Sequence, residues 1–418
     1  MSILFKNIAL LSGDSFLPCT NVLVNEDKFA YIGDKSDLSA DRVIDGKDRL
    51  IIPGFVNTHS HVPMSFLRGY ADGMELNEWL FEKIFPAEDK LTGDDVYWGC
   101  SLTLLEMLAS GTTTFNDMYM FCDKIADATI ESGMRAKISR GLQSWDAAGI
   151  DDSGRMAENM ELYNKYHGAA NGRITVGFGM HSVYCCTPEY LRICAEKIKE
   201  LGGISHVHLS ETATENANCL KDYGKSPTRL MYDMGVFDTK CIAAHCVHLS
   251  DEDMELLAEK GVTAACNPAS NLKLRSGISN PLAMKAAGMN VSLGTDGSSS
   301  NNNVDMLAEM HLAALLYKME AADAFKMATV SGAAALGMED IGEIKEGMKA
   351  DFAVLRTDKP HFQPIHDTRA NLVYAAKSAD VVCTAVDGKI LYENGEFKTL
   401  DAEKIIYEVN KTKQRICG

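Results

Sequence analysis

Phe55-Val56-Asn57-Thr58-His59-Ser60-His61 opens apolar and closes on two histidines two residues apart. On a strand, His59 and His61 leave the same side and can hold one ion through their imidazole nitrogens. Seven further apolar segments follow, at 112–118, 136–141, 174–181, 204–210, 241–245, 262–267 and 291–296. Helical stretches separate them, for example 94–110 with Gly111 as terminator, 188–201, and 251–260 before Gly261. Eight strand–helix repeats predict an α/β protein, a (β/α)8 TIM barrel over residues 55–346, a fold that typically takes about 250 residues.

The two chain ends read differently. Residues 1–54 alternate apolar and polar positions, as at 21–25 and 29–32, with Asn25-Glu26-Asp27 as a turn. From Gly347 the chain returns to short strands at 352–355 and 382–386, with turns at Asp387-Gly388 and Asn394-Gly395. Residues 1–54 and 347–418 are therefore expected to form one small discontinuous β-sandwich beside the barrel, with a closing helix at 402–413.

Composition narrows the function. Of 418 residues, 46% are hydrophobic and 24% charged, and no apolar run approaches the ~20 residues of a membrane span. Lys and Arg number 41 against 58 Asp and Glu, a net charge of -17 that repels nucleic acid and anionic lipid surfaces. In residues 1–12, Lys6 and Asn7 interrupt an apolar run too short for a secretory core, so a cytoplasmic location is expected. The 12 cysteines include no pair at the two-residue gap of a zinc knuckle, which points to reduced thiols.

A barrel carries its reactive groups at the C-terminal ends of its strands. Here those ends hold His59 and His61, His181, His208 followed by Glu211, His245, and Asp296. A histidine pair alone is weak, and a second occurs at His206 and His208. Placement at strand ends, together with Asp296 after an apolar run, carries the inference. Three neutral nitrogens and one carboxylate make a zinc site with room for a water whose pKa the ion lowers to near 7. Glu211 and His245 then read as proton carriers, since hydrolysis needs one group to take the water proton and another to protonate the leaving side. The competing reading of Glu211 is a helix-start carboxylate near Thr212.

Pro53-Gly54-Phe55-Val56-Asn57-Thr58-His59-Ser60-His61, His208-Leu209-Ser210-Glu211, Ala244-His245-Cys246, Asn267-Pro268-Ala269-Ser270-Asn271 and Gly294-Thr295-Asp296-Gly297 closely resemble the amidohydrolase superfamily. Within it they are similar to the branch of methylthioadenosine and S-adenosylhomocysteine deaminases. The resemblance implies that His59, His61, His208 and Asp296 bind one divalent metal, and that His206 is structural. Binuclear relatives bridge two metals through a carbamylated lysine on the fourth strand, and residues 174–181 contain none. The donor set accepts zinc, iron or manganese, with zinc first.

By the same resemblance, Trp79 lines a nucleoside pocket, Glu88 accepts hydrogen bonds from ribose hydroxyls, and His181 contacts a purine ring nitrogen. Arg140 and Arg155 face the substrate's tail, where a guanidinium can hold a carboxylate. Ser300 is a further candidate for the pocket wall. Residues 62–91 form an unusually long connection, expected to be a lid or binding loop. The implied reaction is hydrolytic deamination of an adenine nucleoside (S-adenosylhomocysteine, methylthioadenosine, adenosine) to its inosine analogue and ammonia. Glu211, His245 and Asp296 are its catalytic groups, and Glu211 and Asp296 both remain candidates for protonating the amine. Another ring substrate, such as guanine, a pterin or a chlorotriazine, is the alternative within the class. A non-catalytic scaffold on this barrel is the alternative outside it, opposed by the presence of all four ligands. The expected partners are the small-molecule substrate and water, with neither nucleic acid nor membrane; a homo-oligomer stays open.

Overall fold

The computed structural model describes residues 1–144 and 154–417. The expected barrel strands are present as Phe55–Ser60, Thr112–Tyr119, Arg135–Leu142, a fourth in two pieces (Ile174–Val176 and Phe178–Met180), Ser205–Leu209, Cys241–His245, Thr263–Cys266 and Asn290–Leu293. They pair in parallel in chain order. These strands are almost wholly buried because helices cover the outer faces, which is why they read as near-continuous apolar runs. The last strand returns to the first. Thr58 Oγ1 donates to the Leu293 carbonyl at 2.8 Å and Asp296 N–H to the His59 carbonyl at 2.9 Å.

Local signals explain where the helices begin. Thr92 and Asp95 form a reciprocal capping box at Gly93–Ala109, as do Ser250 and Asp253 at Asp251–Glu259. Thr187 caps Pro188–Leu201, whose first position is the proline. No helix among the described residues is long and apolar enough to cross a membrane.

The terminal segments share one nine-stranded mixed sheet. Its hub is Ser2–Ser12, which pairs with Ser15–Asn25, Arg42–Asp45 and Arg49–Pro53. Arg49–Pro53 then pairs antiparallel with Phe352–Arg356, joining the two ends of the chain. The helix Ala402–Cys417 packs on the barrel helix Gly93–Ala109, where Thr412 Oγ1 donates to Asp95 at 2.9 Å.

The segment 62–91 departs from the expected loop. It contains a 3-10 turn, Val62–Leu67, and then consecutive helical pieces Leu76–Trp79, Leu80–Ile84 and Phe85–Glu88, the middle one a π turn. Leu67, Leu76, Leu80 and Ile84 are buried in the core, and this apolar spacing makes the segment a packed wall.

Arg135 fastens the sheet to the barrel. Its guanidinium donates to Asp351 at 2.8 and 3.2 Å and to Asp387 at 2.6 Å, and all three residues are buried. Removing one partner of a buried ion pair strands the others without compensation. Arg135→Met is expected to lower the unfolding free energy by roughly 3 kcal/mol in denaturant titration, while turnover per folded molecule stays near wild type.

Candidate active site

The strand ends turn sharply inward. Ser210, His245, Cys246 and Asp296 all have positive φ, at 49°, 73°, 50° and 59°. L-residues avoid this region, and such strain is tolerated where the surroundings over-determine it. Close approach adds a second constraint. A Cβ on Gly294 would lie 2.5 Å from Asn267 Oδ1 and 2.8 Å from the His59 backbone nitrogen, so only glycine lets the eighth strand reach the first here.

The outcome is a buried cluster. His61 Nδ1–H donates to the Met118 carbonyl at 2.7 Å and His208 Nδ1–H to the His181 carbonyl at 2.9 Å. Each bond leaves Nε2 as a lone pair, and those two nitrogens face each other at 3.3 Å. His59 Nδ1 meets His206 Nε2 at 2.8 Å, which places His206 behind the cluster as a support. Asp296 Oδ1 lies 3.4 Å from His59 Nε2 and 3.3 Å from His61 Nε2, and its Oδ2 accepts from Ser270 Oγ at 2.6 Å.

His59 Nε2 is buried and has no hydrogen-bond partner. An orphaned lone pair at the meeting point of imidazoles and a carboxylate fits a divalent metal, and His59, His61 and Asp296 bring one donor atom each within 4.8 Å of one another. Burial depresses the His59 imidazole to about 4 and holds His208 well below its usual value, so both stay neutral as ligands must. Burial works in the opposite sense on Asp296, but its position facing the imidazoles of His59, His61 and His245 outweighs it and holds the carboxyl well below its ordinary value.

Glu211 and His245 stand beside this cluster, with Oε2 and Nε2 3.6 Å apart. His245 Nδ1–H donates to Asn271 Oδ1 at 2.8 Å, which aims its Nε2 at Glu211. Ser276 Oγ donates to Glu211 Oε1 at 3.0 Å, while Glu215 accepts the Glu211 backbone N–H at 2.7 Å. Burial raises the Glu211 carboxyl above the ordinary range. Burial also disfavours a charged His245, yet the Glu211 and Asp296 carboxylates prevail and raise it. Standing this close, the two groups can pass a proton between them.

A cavity of about 300 Å³ opens above these groups. It is lined by His61, His208, Glu211, His245 and Asp296 below, with Trp79, Glu88, Arg140, Arg155 and His181 around it. The Glu88 carboxylate accepts from the Tyr119 phenol at 2.6 Å. Arg140 donates to Glu158 at 2.5 Å, and Arg155 to Gln143 at 2.5 Å. Ser300 lies apart: its hydroxyl donates to the Gly297 carbonyl at 3.1 Å, and it does not line the cavity. The supports Ser270, Asn271, Ser276, Glu215 and Tyr119 were not assigned roles from the sequence. Ser270 and Asn271 lie within a quoted motif and Tyr119 ends the second strand, but none of the five carries a residue type that marks its role.

Residues 50–391 match the amidohydrolase family. The 5-methylthioadenosine/S-adenosylhomocysteine deaminase of Thermoanaerobacter pseudethanolicus is 45% identical over 98% of both chains. The enzyme of the same name from Moorella thermoacetica is 46% identical over 93% of this chain and 94% of its own. Among solved structures, a zinc-bound adenosine deaminase from Xanthomonas campestris superposes with a TM-score of 0.94 at 30% identity, covering 99% of this chain and 98% of its own. On a family match across most of its length and relatives aligned nearly end to end, this chain belongs to the amidohydrolase family.

Proposed function

We propose that this protein hydrolyses the exocyclic amino group of adenine nucleosides, S-adenosylhomocysteine and 5-methylthioadenosine foremost and adenosine as a third candidate, giving the inosine analogue and ammonia. One divalent metal per chain, zinc ahead of iron or manganese, would be held by His59, His61, His208 and Asp296. The catalytic unit is the barrel, residues 55–346, with residues 1–54 and 347–418 as its companion sheet. The observation that carries this reading is the orphaned His59 Nε2 facing Asp296, which lines the floor of a cavity shared with the adjacent Glu211 and His245. Names borne by full-length relatives at 45–46% identity supply the substrate class.

A divalent ion, when bound, supplies water of lowered pKa at the cavity floor. Glu211, whose raised carboxyl carries a proton more readily than an ordinary one, donates it to the purine ring nitrogen next to the amino-bearing carbon and makes that carbon electrophilic. His245 and Asp296 orient the attacking water, the imidazole fixed by Asn271 and the carboxylate by Ser270. The proton given up by the attacking water passes to Glu211 or Asp296, and the same group returns it to the departing amine so that ammonia can leave. His181, half-buried and held neutral as desolvation depresses it to about 3, presents its ring to the purine. Glu88 receives the ribose hydroxyls, and Trp79 closes that wall. Arg140 and Arg155 stand where a carboxylate tail ends; only S-adenosylhomocysteine has one.

Elemental analysis of the purified holoenzyme is expected to find close to one divalent metal per chain, and exhaustive chelation to abolish turnover. Two tightly held metals would contradict the donor set described.

Ammonia release separates ligand from proton carrier. Glu211→Gln is expected to lose roughly 10²–10⁴-fold in rate with metal content intact, whereas His208→Ala loses the metal. If both variants empty the site equally, Glu211 is a ligand and not an acid.

Arg155→Met and Arg140→Met should each lower kcat/KM at least about tenfold for S-adenosylhomocysteine and less than about threefold for methylthioadenosine. Equal losses on both substrates would place these arginines in the fold or the nucleoside pocket.

A further inference from the structure

Tyr119 ends the second barrel strand, buried at the cavity wall. Its backbone sits in register with Arg140 of the third strand, and its carbonyl receives Arg140 at 3.4 Å. The strand pairing therefore does not use the hydroxyl. That hydroxyl donates to Glu88, on the helical piece Phe85–Glu88 that also lines the cavity, at 2.6 Å. Burial keeps the Tyr119 phenol protonated far above the working pH range, so it is the donor and the carboxylate the acceptor. Among the described residues, this is the hydrogen bond made by the Glu88 side chain.

We propose that Tyr119 is a positioning residue for sugar recognition: its phenol fixes Glu88 so that the carboxylate receives both vicinal hydroxyls of the nucleoside, which sets the preference for ribo- over 2′-deoxynucleosides. This rests on the nucleoside reading of the cavity given above. A carboxylate has two oxygens and about four acceptor sites. One site taken by Tyr119 pins the group's rotation and leaves the remainder for a diol. Without that bond, the side chain is free to rotate in its pocket and has lost a donor that favours the ionised form.

The electrostatics agree with the geometry. Burial raises Glu88 to about 7, against the opposing hydrogen bond from Tyr119. Among the described residues, the other groups that shift it most are Asp89 on its own segment, which raises it further, and Arg155 and Arg140, which lower it. Deleting the phenol moves the carboxyl upward, so at neutral pH it would hold a proton and accept hydroxyls poorly. Raising the pH restores the carboxylate, and a purely structural defect would not be repaired this way.

The test measures kcat and KM of the holoenzyme with 5-methylthioadenosine and its 2′-deoxy counterpart, at pH 7 and pH 9, for wild type, Tyr119→Phe and Glu88→Gln. Tyr119→Phe is expected to raise KM for the ribonucleoside about tenfold or more at pH 7 with kcat within about threefold, and to erase most of the ribo-over-deoxy preference. At pH 9 part of the lost affinity returns in Tyr119→Phe, and none returns in Glu88→Gln. An unchanged preference in Tyr119→Phe alongside a lost one in Glu88→Gln overturns the role of Tyr119 alone. An unchanged preference in both variants removes Glu88 from sugar recognition as well. A wild-type holoenzyme that releases ammonia from neither of these compounds nor from S-adenosylhomocysteine and adenosine overturns the nucleoside reading and this assignment with it.

Discussion

The hydrogen bond from Asp296 N–H to the His59 carbonyl closes the barrel and assembles the site in one step. His59 and His61 belong to the first strand and Asp296 follows the eighth, so their donor atoms meet only if the cylinder is shut. Gly294 permits the approach, since a side chain there would strike the His59 backbone. Thr58, Asn57 and Thr295 reinforce the seam with buried side-chain bonds. Fold and chemistry are thus not separable at this position; a defect in closure is a defect in ligand geometry.

Most of the architecture was legible because the barrel strands are buried on both faces and end on polar residues, a combination visible in the sequence. The junction of residues 49–53 with 352–356 was anticipated only as a pairing of chain ends, and the hub role of Ser2–Ser12 was not anticipated at all. A strand whose neighbours lie on both sides of the same sheet carries no local mark of that centrality. The helices within 62–91 were missed for a related reason: short pieces joined by a π turn break the regular spacing on which helix recognition depends.

For the site, histidines and carboxylates at strand ends were readable, whereas their supports were not. Ser276 holding Glu211, Asn271 holding His245 and Tyr119 holding Glu88 are ordinary residue types whose significance lies in a partner 65, 26 or 31 positions away. Ser300 errs in the other direction. Its nearness to Asp296 in sequence suggests the cavity, but a short helical turn at Ser298–Asn301 directs its hydroxyl back to Gly297.

The shared sheet has a consequence for synthesis on the ribosome. Arg49–Pro53 is made early, yet its antiparallel partner Phe352–Arg356 emerges about three hundred residues later. Until then one edge of the N-terminal strands has open backbone donors and acceptors, the kind of template that recruits foreign strands. The barrel meanwhile completes itself from contiguous repeats, so the nascent chain passes through a stage with a formed cylinder and a half-built sheet. Molecules truncated before residue 352 would be trapped at that stage with a sticky flank exposed, giving proteolytic surveillance a physical criterion for removing them.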